Sequence, residues 1–113
     1  MPREPRESLE DRWLLEAQTA RNLEAMVAEQ AGDLETAVAL YERNVSEGFA
    51  GDLPYGRLVA IYERRGAFDE AERVLLRAIS VFEGSRWRTP ADRRATISVF
   101  KNRLKRLRQR RAD

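Results

Sequence analysis

Five stretches of the chain carry apolar residues at intervals of three and four, and each is bounded by residues that start or stop helices. In the first, Leu9, Trp13, Ala17, Ala20, Leu23 and Val27 recur with no Gly or Pro before Gly32, which predicts one helix over about 9–31. Ser8 followed by Asp11 is a capping pair for its start. This stripe is expected to face the core, with Trp13 inside an N-terminal cap or, in the lesser reading, exposed as an aromatic anchor for a partner. A second helix is predicted over about 34–47, opened by Asp33 and Glu35 and stopped by Gly48, with Phe49 folding back on its end. Pro54 suits the first turn of a third, which carries Tyr55, Leu58, Val59, Ile61 and Tyr62 and ends at Gly66. A fourth, over about 69–83, buries Ala71, Val74, Leu75, Ala78, Ile79 and Phe82 and closes at Gly84. Residues 85–89 form a linker in which Trp87 plugs the seam to the next helix or, in the sharper alternative, offers a stacking surface. Thr89, Pro90 and Asp92 then open a fifth helix over about 90–110, with the narrow stripe Ile97, Phe100, Leu104 and Leu107. The fold class is all-α.

A second regularity runs through the middle of the chain. EQAGDLETAVALYERNVS from Glu29 to Ser46 and ERRGAFDEAERVLLRAIS from Glu63 to Ser80 coincide at an offset of 34 residues. Glu29 and Glu63, Gly32 and Gly66, Ala37 and Ala71, Arg43 and Arg77, and Ser46 and Ser80 are identical pairs. Leu34 matches Phe68, Leu40 matches Val74, and Val45 matches Ile79. Self-similarity at this period marks stacked helical hairpins, each too small to bury its apolar stripe alone. Ala37 and Ala71 would let two helix backbones approach closely, with Tyr41, Leu75, Val45 and Ile79 filling the space one and two turns on. Gly32 and Gly66 would accept the left-handed conformation that ends a helix.

Each copy resembles the turn and second helix of a tetratricopeptide repeat (TPR), in the manner of a short, stand-alone bacterial-type member of that family. The likeness rests on Gly32 and Gly66 closing a first helix, on Ala37 and Ala71 early in the second, and on Tyr41 and Leu75 one turn later. Copy two also has the first-helix signature in Tyr55, Leu58 and Tyr62, where copy one has Arg21, Glu24 and Ala28. The family's second small residue is Ala78 in copy two and Asn44 in copy one, and Phe49 and Glu83 stand where it closes with Pro. Two units, about 18–51 and 52–85, cover roughly 68 residues.

The resemblance implies a right-handed helical-repeat stack of about five helices: two TPR-like hairpins plus a C-terminal capping helix. It further implies a groove lined mainly by the first helix of each hairpin, at Asn22, Met26, Glu29 and Gln30 in copy one and Leu53, Gly56, Ala60, Glu63 and Arg64 in copy two. Some members of the family hold a chaperone's C-terminal carboxylate there with a Lys and Asn clamp. This chain has no Lys at the matching places and only Asn22 as an amide, so that clamp is not expected. The groove is mixed in polarity and would suit a helix or an extended peptide. The alternative is that the fifth helix fills it.

Composition narrows the chemistry. With 113 residues the expectation is one domain: a mobile tail over 1–7, a repeat body over 8–88 and a basic capping helix over 89–113. No run of about 18 apolar residues predicts a membrane span, and the polar start MPREPRESLEDR does not read as a secretory signal. There is no Cys, hence no disulfide and no thiolate metal site, which fits a cytoplasmic protein. There is no His, which removes the commonest general base and metal ligand. The glycines are scattered at helix ends rather than in a phosphate loop, and the carboxylates sit at spacings of solvated helix faces. No catalytic, cofactor, metal or small-molecule site is expected.

The net charge of +2 conceals a division. Residues 86–113 hold eleven Arg or Lys against two Asp, while residues 1–85 hold ten against seventeen Asp or Glu. Lys101, Arg103, Lys105, Arg106, Arg108, Arg110 and Arg111 place cations around most of the last helix. That face could be neutralised by the acidic body, hold an acidic protein or another copy head-to-tail, or bind nucleic-acid phosphates. No nucleic-acid motif accompanies the run. The function expected is a non-catalytic protein-interaction module taking a peptide or helix of a partner. The alternatives are a nucleic-acid-associated factor using the basic helix and a homodimer formed through the fifth helix.

Overall fold

The computed structural model describes residues 8–85 and 88–113, so the expectations for the tail over 1–7 and for Trp87 fall outside the described residues. Five helices follow in order: α1 (Leu9–Gln30), α2 (Leu34–Ser46), α3 (Leu53–Arg64), α4 (Phe68–Glu83) and α5 (Pro90–Ala112). The described residues contain no strand, and the protein is all-α.

Helix ends follow their capping residues. Ser8 and Asp11 form a reciprocal capping box, Ser8 Oγ accepting from Asp11 N at 3.0 Å and the Asp11 carboxylate from Ser8 N at 3.4 Å. Asp33 Oδ1 accepts from Thr36 N at 3.2 Å, and Thr89 Oγ1 from Asp92 N at 3.1 Å. Gly32 and Gly66 have φ of 81° and 71°, the left-handed region that a Cβ disfavours. Beyond each, Asp33 N and Ala67 N reach back to the carbonyls of Ala28 and Tyr62, at 2.9 and 2.8 Å, and satisfy groups that a helix end leaves open.

Each helix packs against the next, and α2 also touches α4. Ala37 and Ala71 have no exposed surface, as the close approach of two backbones requires. Tyr41 and Val45 from α2, Tyr55, Leu58 and Val59 from α3, and Val74, Leu75 and Phe82 from α4 fill the interior. Burying a side chain of this size stabilises by about 1.5–3 kcal/mol. The rings of Tyr55, Phe82 and Phe100 join α3, α4 and α5. Tyr55 meets Phe82 edge-on at 5.6 Å between centroids, and Phe82 stacks on Phe100 at 5.7 Å. The stripe expected on α5 is the side that packs: Phe100, Leu104 and Leu107 are buried and Ile97 lies against them.

On α1 the structure reverses the expected face. Leu9, Trp13, Leu23 and Val27 are 63, 62, 60 and 67% exposed, and Ala17 and Ala20 are exposed too. Trp13 is therefore no part of a buried cap. The side turned to α2 buries Gln18, Asn22 and Ala25, with Arg21 half-buried beside them. The cause is chemical complementarity with α2 and its C-cap, which present Asn44 and Glu47. Arg21 Nη1 donates to Glu47 Oε1 at 2.8 Å, Gln18 Nε2 to the same oxygen at 3.2 Å, and Asn44 Nδ2 to Asn22 Oδ1 at 2.7 Å. A polar seam with each member satisfied can be buried where an isolated amide could not. Among the described residues no buried side-chain nitrogen or oxygen lacks a partner.

Charged pairs tie each of the first three helices to the next but one. Arg57 on α3 grips Glu29 on α1, Arg73 on α4 meets Glu42 on α2 at 2.7 Å, and Arg110 on α5 meets Glu63 on α3 at 3.0 Å.

Candidate functional site

Three surfaces present side chains that the fold does not consume. The first is the predicted groove. Met26, Glu29 and Gln30 of α1 do come together with Leu53 of α3, around an open cavity of about 290 Å³ that also takes in Tyr41 and Arg57. Arg57 and Tyr41 were missed as sequence candidates. A shared partner is what brings them in: Glu29 accepts from Arg57 Nε at 3.1 Å and from Tyr41 Oη at 3.0 Å. The hydrogen bond from Arg57 holds the Glu29 carboxyl below the ordinary glutamate range. Burial, with the bond to Glu29, pushes the Tyr41 hydroxyl up to about 12. The cavity floor is thus a closed ion pair with a phenol attached. It supplies shape and fixed polarity but no free acid or base.

The remaining predicted groove residues separate. Asn22 is not in the groove: it is 6% exposed and committed to Asn44. Gly56, Ala60 and Glu63 lie on α3 and are half-buried, and Arg64 is exposed. At Gly56 a Cβ would come within 3.4 Å of Arg103 Nη1, so α5 reaches over this part of α3. Glu63 shares a second cavity, of about 360 Å³, with Arg103, Arg106 and Arg110. The fifth helix therefore occupies the α3 end of the expected groove and leaves the α1 end open.

The second surface is the basic helix, which divides by partner. Arg108 pairs with Glu72 at 2.8 Å, Arg110 with Glu63, and Arg111 with Asp69 and Glu72. Arg103 is half-buried, and burial lowers its pKa. Lys101, Lys105 and Arg106 are exposed and make no ion pair among the described residues. Lys101, Lys105 and Arg108 rim a groove of about 630 Å³ between α4 and α5, whose apolar lining includes Leu76, Ile79, Leu104 and Ala112. Leu76 is 46% exposed there. The cue in the sequence was Leu76 itself, an apolar residue off the buried stripe of α4.

The third surface is the outer face of α1. Seven of the large apolar side chains left exposed belong to this one helix: Leu9, Trp13, Leu14, Leu15, Leu23, Met26 and Val27. Among the described residues no group of three or more Cys, His, Asp or Glu could hold a metal ion, and no helix is long and apolar enough to cross a membrane.

No family model, no curated protein and no solved structure matches this chain.

Proposed function

We propose that this chain is a non-catalytic protein-interaction module of TPR-like construction, which takes a peptide or helix of a partner on its exposed helix faces. The observation that carries the proposal is the outer face of α1, where Leu9, Trp13, Leu23 and Val27 stand in solvent as one stripe. Contiguous exposed apolar surface of this kind marks an interaction site. The repeat construction draws support from features shared at the 34-residue offset: the left-handed Gly32 and Gly66 and the fully buried Ala37 and Ala71. The ion pairs from each helix to the next but one are those that stacked hairpins would make. The nucleic-acid alternative draws less support, because Arg108, Arg110 and Arg111 are engaged by acids of their own chain.

The test places a photo-crosslinking residue at Leu23, and for control at Arg65, which is exposed in the turn between α3 and α4. A discrete protein adduct from Leu23 and none from Arg65 is the expected result. In parallel, labelled single-stranded and duplex oligonucleotides are titrated at about 50 and about 200 mM salt. The absence of an adduct from Leu23, combined with salt-sensitive oligonucleotide binding that is lost on neutralising the basic helix, would overturn the proposal in favour of a nucleic-acid factor.

A further inference from the structure

The outer face of α1 and the groove between α4 and α5 are complementary in polarity and in charge. At 3.6 residues per turn, Leu9, Trp13, Ala20, Leu23 and Val27 fall on one side of α1. Glu16 lies within that stripe, Glu10 and Glu24 lie along one edge of it and Arg12 along the other, all four exposed. The groove answers with an apolar lining of Leu76, Ile79 and Leu104 under a rim of Lys101, Lys105 and Arg108. Lys101 and Lys105 have no acid of their own chain beside them among the described residues, whereas Arg108, Arg110 and Arg111 do.

We propose that the occupant of this groove is a second copy of the chain, whose α1 lays its acid-edged stripe between α4 and α5. The inference rests on the interaction-module reading and names its partner. Pairing of α1 with itself is the competing use of the same stripe, and its charges oppose it. Two antiparallel copies set Glu10 of one against Glu24 of the other along the same edge, and two parallel copies set Glu16 against Glu16. Against the groove, the lysines stand one turn apart, so Lys101 and Lys105 can meet Glu16 or one of the edge acids at a time without a facing carboxylate. The groove segment of α5 from Lys101 to Ala112 is about 16 Å long at about 1.5 Å per residue, room for about three turns of α1. The two surfaces belong to the first and last helices of the chain. Because each helix packs on the next, α1 and α5 are opposite ends of the order, so a rigid copy that seats its α1 in a neighbour leaves its own groove for a third, and the contact is heterologous, building rings or filaments.

The test follows mass in solution by sedimentation velocity from low to high micromolar protein. It uses the parent, Leu23→Glu on α1, and Lys101→Glu with Lys105→Glu on α5. All three positions are exposed, and matching thermal melts establish that each variant folds. The parent is expected to grow beyond a dimer with concentration and to dissociate with added salt, and each variant alone to stay monomeric. Mixed one to one, the two variants should form a dimer and stop there, because only one intact surface remains on each. A parent that stays monomeric throughout refutes the proposal. So does a lysine variant that still associates, which would indicate α1 on α1, or a Leu23→Glu variant that still associates, which would indicate α5 on α5. If the parent is monomeric while the Leu23 crosslink captures a different protein, the second copy is wrong and the module reading stands. If neither occurs, the second copy is wrong, and the oligonucleotide titration decides whether the module reading falls with it.

Discussion

The side-chain amide of Asn44 donates to Asn22 Oδ1 at 2.7 Å and to the backbone carbonyl of Gln18 at 2.8 Å, so one residue of α2 fastens two turns of α1. Its own oxygen accepts from Arg21. Every hydrogen-bonding group of this fully buried side chain is engaged. Asn44→Ala would leave Asn22 and the Gln18 carbonyl buried without that donor. The expected cost is about 1–3 kcal/mol, seen as a fall in melting temperature on the order of 5–10 °C. A melt within a degree or so of the parent would show that water replaces the amide freely.

Ala71 has no exposed surface at the start of α4. Ala71→Arg places a cation where two helices touch, without room or a partner for it, and is expected to abolish cooperative unfolding. Ala71→Ser, which adds one small polar atom, is expected to retain a single transition at lower temperature. The check is circular dichroism with heating. A cooperative melt for the arginine variant near the parent temperature would refute the packing described.

Hydrogen bonds from Arg57 hold the Glu29 carboxyl below its ordinary value of 4.5, and those from Arg21 do the same for Glu47. The unfolded chain, with ordinary glutamates, therefore binds more protons near pH 4.5 than the folded one, and stability rises with pH there. The stabilisation is present above the ordinary glutamate range and is lost as pH falls through it and on through the lower folded values. Melting temperature is expected to drop over that acid window. Glu29→Gln should lower the plateau at neutral pH by about 0.5–1 kcal/mol, since Arg57 is partly solvated, and flatten the acid slope. An unchanged slope in Glu29→Gln would remove this pair from the account.

The alkaline side reverses the logic. Burial raises the hydroxyls of Tyr41 and Tyr55 to about 12, and that of Tyr62 upward as well. Their stabilisation is complete below the ordinary value of 10 and is lost as pH rises through the folded values. These are all three tyrosines of the chain. Ultraviolet titration should therefore show little tyrosinate at pH 10, with its appearance coinciding with loss of helix. A large tyrosinate signal from a fully helical protein at pH 10 would contradict the burial.

Helix ends were legible in the sequence because they depend on local chemistry. Ser8 with Asp11, Asp33, Thr89 and the left-handed Gly32 and Gly66 each act within a few residues of themselves. The α5 stripe was legible for a related reason, since one narrow apolar side on a charged helix has one place to go. The α1 face was not legible, because two signals disagreed. Hydrophobicity favoured Leu9, Trp13, Leu23 and Val27. The 34-residue spacing placed Arg21 and Ala28 opposite Tyr55 and Tyr62, which pointed to the other side. A polar seam decided it, and its partners lie 22 to 29 residues away on α2 and its C-cap. The basic helix was legible as a total charge but not as a pattern. Arg108, Arg110 and Arg111 find acids 36 to 47 residues away, and only folding shows which cations remain unpaired.

The polar seam also sets how the molecule comes apart. Ala25 is the sole apolar residue that α1 buries fully among the described residues, whereas α3 and α4 each bury several large ones. Water competes for hydrogen bonds far better than it competes for buried aromatic rings. The first helix is then the part of the structure most free to detach while α3, α4 and α5 stay locked through Tyr55, Phe82 and Phe100. Its amides would exchange with solvent through a partial opening, ahead of the rest. The helix that offers the most apolar surface to solvent is thus the one whose attachment is mainly polar, and a partner that grips it would add the apolar contacts its own core withholds.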